Sequence, residues 1–174
     1  MGTPEQPQNK TATEIERKFL VGSLPESLGS YAMTRIVQGY VAIEESGTEV
    51  RLRHRDGEGH TMTVKSKGGL VRGEHEVPLT SEQFAILWPT TEGRRVEKDR
   101  YTIPYGQHTI ELDCYVEPPD FVVAEVEFGS VEEAEAFQPP EWFSADVTDA
   151  KGFKNQQLAT YGVPVGFGPR AETL

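Results

Sequence analysis

The sequence EIERKFL, residues 14–20, places charged side chains at every second position. In an extended strand successive side chains point to opposite faces, so the two glutamates and Lys18 share one face while Ile15 and Phe19 share the other. Alone, this pattern is more typical of a solvent-exposed sheet face, since charged residues are mostly exposed. At least five later segments repeat it, however. Many strands with one charged and one apolar face can form a barrel whose charged faces line the inside.

The clearest of the later strands is residues 49–55, where three arginines alternate with side chains such as Val50 and Leu52. The sequence DGEG at residues 56–59 follows it and is typical of a β-hairpin turn. In the preceding strand, Gly39 predicts a bulge or a bend. Altogether, alternation predicts strands over residues 13–21, 33–44, 49–55, 61–67, 70–79, 92–104, 107–115 and 121–128.

A few short helices complete the pattern. Thr80 and Gln83 have the spacing of a capping box, which predicts a helix over residues 80–88. A second, acidic helix is predicted over residues 131–137. The last helix is predicted over residues 147–161. We expect the first two to cover the outside of the sheet and the last to close one end.

The composition of the chain limits its possible partners. Its 174 residues predict one domain, and its net charge of −11 argues against binding to nucleic acid or anionic membranes. Lysine and arginine are nevertheless concentrated in residues 51–72 and 94–100. The lone cysteine, Cys114, excludes an intramolecular disulfide and fits a reducing compartment. No apolar run reaches the roughly 18 residues of a membrane span, so we expect a cytoplasmic protein.

We divide the chain into three parts. Residues 1–12 are rich in Pro, Gln, Asn and Thr, and predict a disordered leader. Residues 13–162 contain all the predicted strands and form the domain. Residues 163–174 are rich in glycine and proline and predict a loose tail. The sequence leaves open whether the protein is a monomer or a homodimer.

The predicted inner face carries both carboxylates and cations. The carboxylates are Glu14, Glu16, Glu74, Glu76, Glu111, Asp113, Glu125 and Glu127. The cations are Lys18, Arg51, Arg53, Arg55, Lys65, Lys67, Arg94, Lys98 and Arg100. Paired carboxylates without a Cys or His cluster are oxygen ligands of the kind that suits Mg²⁺ or Mn²⁺. A ligand with several negative charges that also chelates divalent metals would satisfy both sets, and triphosphate is the obvious candidate.

Other interpretations of these charges are weaker. Taken alone, the arginine strand is more typical of a solvated face or a nucleic-acid patch. So many half-charged strands argue against this, because they need a closed sheet with two environments to be stable. The sequence does not support a catalytic triad, and the two glycines at residues 68–69 lack the context of a phosphate-binding P-loop.

The charged residues resemble the signature of a known family. Glu14-x-Glu16-x-Lys18 is similar to the ExExK motif of the CYTH superfamily, the triphosphate tunnel metalloenzymes. Further motifs follow in the family's order over about residues 13–160, namely Arg51-x-Arg53, Lys65-Ser66-Lys67, Glu74-x-Glu76, Lys98-x-Arg100, Glu111-x-Asp113 and Glu125-x-Glu127. The run LWPTTEGRRVEK, residues 87–98, is similar to the short bacterial members described as inorganic triphosphatases.

This resemblance implies a fold and a site. The implied fold is mainly β, a closed antiparallel eight-stranded barrel that binds triphosphate inside, with short helices outside and a C-terminal helix at one end. The implied phosphate-binding residues are Lys18, Arg51, Arg53, Lys65, Lys98, Arg100 and Lys154. The implied ligands for metal or water are Glu14, Glu16, Glu76, Glu111, Asp113, Glu125 and Glu127. Of these residues, the expected catalytic ones are Glu14, Glu16, Lys18 and Lys98. Arg55 and Arg94 are also predicted on the charged face of their strands, but they have no assigned role.

The implied reaction is metal-dependent hydrolysis of tripolyphosphate to pyrophosphate and phosphate, which makes the protein a hydrolase acting on acid anhydrides. Metal would neutralise charge on the phosphates while a carboxylate or a second metal orients the attacking water. Relatives act on other triphosphates, so thiamine triphosphatase and class IV-type adenylyl cyclase are alternatives, although no segment can be assigned to an adenine pocket. A non-catalytic module that binds polyphosphate or nucleotide is a further alternative, and the many carboxylates argue against it.

Overall fold

A computed structural model describes residues 15–65 and 74–167 of the chain. The strands are β1 (Ile15–Val21), β2 (Ala32–Ile43), β3 (Glu49–Arg55), β4 (Gly59–Lys65), β5 (Glu74–Leu79), β6 (Arg95–Tyr105), β7 (His108–Glu117), β8 (Phe121–Phe128) and β9 (Phe143–Asp146). The α-helices are α1 (Ser81–Leu87), α2 (Val131–Ala136) and α3 (Asn155–Tyr161), and 3-10 turns lie at Leu28–Ser30, Trp88–Thr91 and Lys151–Phe153. The predicted leader, the predicted site residues Glu14 and Lys67, and most of the predicted tail lie outside the described residues.

The strands form one antiparallel sheet in the order β5-β4-β3-β2-β6-β7-β8-β1-β9. The register brings the charged alternate residues of neighbouring strands onto the same face. Lys18 of β1 lies opposite Glu125 of β8, and Arg53 of β3 lies opposite Gln38 of β2. The face that was charged in every predicted strand is therefore one continuous surface, which we call the inner face.

The sheet differs from the predicted closed eight-stranded barrel in strand number and in closure. The extra strand is β9, which pairs with β1 in a segment where the sequence predicts no strand. It has only four residues, of which Ala145 and Asp146 are types depleted in strands, so no periodic signal marks it. No pairing joins the two edge strands, β5 and β9, in residues 15–65 and 74–167. The mainly antiparallel β class with few helices is confirmed.

The outer face of the sheet packs against α2 and the residues that follow it. Phe19, Leu112 and Val126 are almost completely buried there, and the ring of Phe137 lies 6.0 Å from that of Phe19. Helix α2 begins after Ser130, whose hydroxyl oxygen accepts a hydrogen bond from the backbone N–H of Glu133. The apolar half of each alternating strand thus supplies the main core, as the sequence pattern predicts.

A second core lies at one end of the inner face, where α3 packs against β2 and β6. It contains Tyr40, Val96, Tyr115, Phe121, Val123, Phe153 and Leu158. The predicted helix over residues 147–161 is correct only in its second half. The preceding segment bonds to β1 instead, because the N–H of Val147 donates to the carbonyl of Lys18 at 2.8 Å and the N–H of Lys18 donates to Thr148 Oγ1 at 3.1 Å.

Strand β2 is irregular at Gly39, where the sequence predicts a bulge or a bend. Its pairing with β3 shifts register between Tyr40 and Ala42. A Cβ atom at Gly39 would lie 2.5 Å from Oγ1 of Thr91, far inside contact distance. Thr91 is itself fully buried, so it has no room to move away. Close packing therefore fixes the backbone of β2 beside Gln38.

The predicted capping box at the start of α1 is confirmed. Thr80 Oγ1 accepts from the N–H of Gln83 at 3.1 Å, and Gln83 Oε1 accepts from the N–H of Thr80 at 2.8 Å. Both bonds satisfy donors that the first turn of a helix leaves unpaired. No helix in the described ranges combines the length and the apolar character needed to cross a bilayer.

Candidate active site

Arg100 lies at the centre of a cluster of charges on the inner face. Its Nε and Nη2 donate to the two carboxylate oxygens of Asp113 at 2.6 and 2.7 Å. Nη2 also donates to Glu125 Oε2 at 2.8 Å, and Nη1 is paired with Glu111. One guanidinium thus binds three carboxylates from β7 and β8. Its side chain is 13% exposed and Asp113 is completely buried, so the pair with Asp113 is largely shielded from water.

Two lysines complete this group, which we call the Arg100 cluster: Lys18, Lys98, Arg100, Glu111, Asp113 and Glu125. Lys18 Nζ lies 2.8 Å from Glu125 Oε1 and donates to the carbonyl of Phe153 at 3.2 Å. Lys98 Nζ is paired with Asp113 and is almost completely buried. The structure therefore brings together three predicted phosphate-binding cations and three predicted metal ligands.

Asn155, the first residue of α3, connects the helix to this cluster. Its Oδ1 accepts a hydrogen bond from the hydroxyl of Tyr115 at 2.5 Å and lies 3.5 Å from Lys98 Nζ. That the last helix closes one end of the charged face, and that activity depends on it, remains a prediction. Its packing against the inner face supports that role.

The cations keep the buried carboxylates ionised. Burial by itself would raise the pKa of Asp113, but Lys98 and Arg100 outweigh it and hold that pKa below its ordinary value. Glu125 behaves in the same way, since Lys18, Lys98 and Arg100 together lower its pKa against the effect of burial. For Lys98 the balance is opposite, because burial outweighs its attraction to Asp113 and lowers its pKa to about 8.

A second group of cations lies on β3 and β4. We call Arg51, Arg53, Arg55 and Lys65 the basic wall. Arg51 Nη2 lies 3.3 Å from Glu74 Oε1, and Lys65 Nζ lies 2.8 Å from the other oxygen of Glu74. Next to them, Thr63 Oγ1 donates to Glu76 Oε2 at 3.0 Å. The two carboxylates of β5 therefore lie beside the basic wall and not beside the Arg100 cluster.

Arg53 has no carboxylate partner in the part of the chain that the structure describes. Its Nε donates to Oε1 of Gln38 at 2.9 Å, and Nε2 of Gln38 donates to the hydroxyl of Tyr40 at 2.7 Å. Burial, and after it repulsion from neighbouring guanidiniums, of which Arg51 contributes most, lowers the pKa of Arg53 to about 9. A bound anion would relieve this repulsion, because opposite charge favours the protonated form of a buried base.

Glu16 and Glu127 lie directly opposite each other on β1 and β8, and both are exposed. Lys154 is also exposed, and it precedes α3 instead of lying within it. Arg94 is held away from the inner face, since its guanidinium donates to the carbonyls of Val41 and Thr90. Arg94 is thus bound to the protein's own backbone.

Sequence reasoning missed the uncharged polar residues of the inner face. Gln38, Tyr40 and Asn155 all bond to charged groups or to one another there, and Gln38 and Tyr40 are at most 1% exposed. The sequence does contain a signal for Gln38, because it is the only amide or charged side chain in the otherwise mostly apolar run IVQGYVAI, residues 36–43. Glu49, which has the parity of Arg51, is likewise buried.

The carboxylates of the inner face fit a divalent cation by their chemistry, as hard oxygen donors suited to Mg²⁺ or Mn²⁺. Glu16 and Glu127 face each other in register, and like charges in that position repel, which a cation would relieve. Over residues 15–65 and 74–167, however, no three carboxylate, imidazole or thiolate groups already surround one point where a metal ion could be held. Glu111, Asp113 and Glu125 are bonded to Arg100 instead.

The fold and the site define an antiparallel β protein whose inner face carries buried cations beside carboxylates, an arrangement suited to a multiply charged anion. A family model described as "CYTH domain" matches residues 12–146. The chain belongs to the CYTH domain family, as its motifs predict. Triphosphate tunnel enzymes of this family are metal-dependent in general.

The chain is similar to an inorganic triphosphatase of Nitrosomonas europaea, with 46% identity over 150 residues that cover 84% of this chain and 97% of the relative. A crystal structure of the inorganic triphosphatase NE1496 has 41% identity and a TM-score of 0.68, covering 86% of this chain and 95% of that one. A structure of the PH1012 protein of Pyrococcus horikoshii has 21% identity and a TM-score of 0.51, over 71% and 84% of the two chains. This last likeness is one of fold.

Proposed function

We propose that this protein hydrolyses inorganic tripolyphosphate to pyrophosphate and phosphate. The observation that carries the proposal is Arg53, a partly buried cation that lies among other cations and has no carboxylate partner in the described ranges. Such a group costs free energy unless an anion joins it. The relative from Nitrosomonas europaea, an inorganic triphosphatase that is 46% identical over nearly its whole length, supports tripolyphosphate as that anion.

The phosphate chain would lie along the inner face between the basic wall and the Arg100 cluster. Arg51, Arg53 and Lys65 would hold one end, and Lys18, Lys98 and Arg100 the other. Arg51, Lys18 and Lys98 are buried and the other three are partly buried, so water screens their attraction for phosphate oxygens less than it would at an exposed surface. Lys154, which is exposed, would contribute from outside this line.

The carboxylates would hold Mg²⁺ or Mn²⁺ and orient water. The proposed set is Glu14, Glu16, Glu76, Glu111, Asp113, Glu125 and Glu127. When bound, the metal supplies neutralising charge on the phosphate oxygens. The protein's own groups do the rest: Glu14 and Glu16 accept hydrogen bonds from the attacking water, and Lys18 and Lys98 hold the transferred phosphoryl group in line and stabilise the negative charge of a loose transition state.

The test is a panel of triphosphates assayed with the full-length chain in the presence of Mg²⁺ or Mn²⁺. Tripolyphosphate should give a higher kcat/KM than thiamine triphosphate or ATP, with pyrophosphate as an accumulating product and no cyclic AMP. Glu16→Gln, which keeps the shape of the side chain but removes its charge, should lose most of the activity. Equal efficiency on ATP, or formation of cyclic AMP, would overturn the proposed substrate.

A further inference from the structure

Gln38 is a neutral side chain at the centre of a charged surface. It lies on the inner face of β2, completely buried, opposite Arg53 of β3 on one side and Val96 of β6 on the other. A buried amide needs hydrogen-bond partners for both its donor and its acceptor. In Gln38 both ends are used, and both bonds lead to other residues of the inner face.

The two bonds fix the orientation of the amide. Oε1 accepts from Arg53 Nε at 2.9 Å, while Nε2 donates to the hydroxyl of Tyr40 at 2.7 Å. If the amide were rotated by half a turn, its NH₂ group would face the guanidinium, which has donors only. Because Tyr40 is buried as well, water cannot replace its hydroxyl without repacking. Gln38 therefore presents an acceptor to Arg53 in one direction only.

The backbone under this side chain is also fixed. Gly39, the next residue, is packed so closely on Thr91 that a Cβ atom would clash. The hydrogen bond from the N–H of Tyr40 to the carbonyl of Arg94, at 3.0 Å, anchors the residue after that. Gln38 thus projects from a rigid part of the sheet, which is the requirement for placing another side chain accurately.

The partner of Arg53 could have been a carboxylate, as it is for Arg100. A carboxylate would orient the guanidinium equally well, but it would also neutralise it and compete with an anionic ligand. The amide oxygen accepts only the Nε donor. The terminal nitrogens of Arg53 have no hydrogen-bond partner among the residues that the structure describes. They remain available for a forked pair of bonds to phosphate oxygens.

We propose that Gln38 is a positioning residue that directs the terminal nitrogens of Arg53 towards a phosphate group of the substrate while leaving the positive charge of Arg53 uncompensated. The proposal rests on the proposed function for the identity of the substrate. It assigns Gln38 no contact with the phosphate itself. Its effect on binding therefore passes through Arg53, and this gives the test its form.

The experiment is a double-mutant cycle in the full chain, with the variants Gln38→Met, Arg53→Lys and the two combined. Binding of tripolyphosphate is measured by titration calorimetry in the presence of a chelator, and KM and kcat are measured with Mg²⁺. Thr34→Val is the matched control, since Thr34 lies on the same face of β2 and its side chain makes no hydrogen bond within the described ranges. Should Gln38→Met not fold, Gln38→Asn replaces it, because the shorter side chain cannot reach both partners.

Gln38→Met should weaken binding and raise KM about tenfold, the loss expected for one hydrogen bond to a charged group, with kcat changed less than about threefold. Arg53→Lys removes the Nε donor but keeps a charge, so adding Gln38→Met to it should change binding less than about twofold. Additive effects, or an unchanged KM in Gln38→Met, would overturn the proposal. If the unmodified protein binds tripolyphosphate but does not hydrolyse it, the proposed function fails while the cycle in binding still tests Gln38.

Discussion

Arg53 and Arg100 lie on the same face of the same sheet and differ in their partners. Arg100 binds the carboxylates of Glu111, Asp113 and Glu125, and Arg53 binds the neutral amide of Gln38. Both arginines have the same predicted role in holding phosphate. One guanidinium is therefore largely engaged by carboxylates of the protein, while the other has no carboxylate partner among the residues that the structure describes.

This difference separates two demands on a site for a polyanion. Buried carboxylates need cations close by, since several ionised groups in one place repel each other. A bound polyanion needs cations that are not already neutralised. One arginine cannot meet both demands fully, because each carboxylate that it binds reduces its attraction for phosphate. On the inner face, most pairing between cations and buried carboxylates lies on β6 to β8, whereas Arg53 on β3 pairs with the neutral Gln38 of β2.

The largest expected difference between variants of the two arginines is in stability. Arg100→Met should lower the free energy of unfolding by about 3–5 kcal/mol, because it leaves Asp113 and its neighbours as buried charges without their main partner. Arg53→Met should change the same quantity by less than about 1 kcal/mol, since it removes a cation that its neighbours repel. Urea unfolding in the presence of a chelator measures both.

The two variants should also respond differently to ligand. Added tripolyphosphate should raise the Tm of Arg100→Met and of the unmodified protein, but not that of Arg53→Met, because binding to the native state is the source of this stabilisation. Equal losses of stability in the two variants would show that the two arginines have the same structural role.

A smaller effect is expected on the acid limb of the pH dependence. The lowered folded-state pKa values of Asp113 and Glu125 contribute stability that is fully present above the ordinary carboxyl pKa of about 4 and is lost as the pH falls through the folded-state values. Between pH 5 and pH 3, unfolding without metal should therefore become easier by on the order of 2 kcal/mol.

In Arg100→Met this decline should be clearly shallower, whereas in Arg53→Met it should match that of the unmodified protein. Denaturant titrations at the two pH values measure the difference. If all three proteins lose the same stability on acidification, the carboxylates are not held ionised by Arg100.

The smallest effect is expected at Lys154. The resemblance places it among the phosphate-binding residues, but its side chain is exposed and forms no capping bond at the start of α3. Attraction across water is weak and screened by salt, so Lys154→Ala should raise KM by at most about threefold at physiological salt. Lys151→Ala, a change at a nearby exposed lysine, is the control. A tenfold increase in KM that is specific to Lys154 would show that this side chain reaches the substrate.

The sequence predicts the fold class well because alternation is a local property of each strand. The strand over residues 49–55 is found where its alternation predicts it. Strand β9 and the segment that follows it up to α3 are not predictable in this way, since both form bonds to β1, more than a hundred residues earlier in the chain. A segment as short as β9 acquires its structure from its partner.

Alternation along each strand predicts which residues share the site, but not which of them contact each other. Alternation puts Arg53 and Arg100 on one face, and it contains no information on which strands are neighbours. The order β2-β6-β7-β8 decides that Arg100 meets Asp113 and Glu125. The contact of Gln38 with Arg53 follows in the same way from the pairing of β2 with β3. The contacts between side chains of distant strands are therefore determined by the order of the strands in the sheet.

The contact between Gly39 and Thr91 restricts how this part of the protein can evolve. While threonine occupies position 91, a side chain at position 39 has no space. Serine or alanine at position 91 would still leave its Cβ 2.6 Å from the added atom, whereas glycine would make room but would remove the hydroxyl that donates to the carbonyl of Trp88 and accepts from Arg95. Neither position can change alone without loss. A side chain introduced at position 39 is therefore expected to lower stability unless position 91 changes with it.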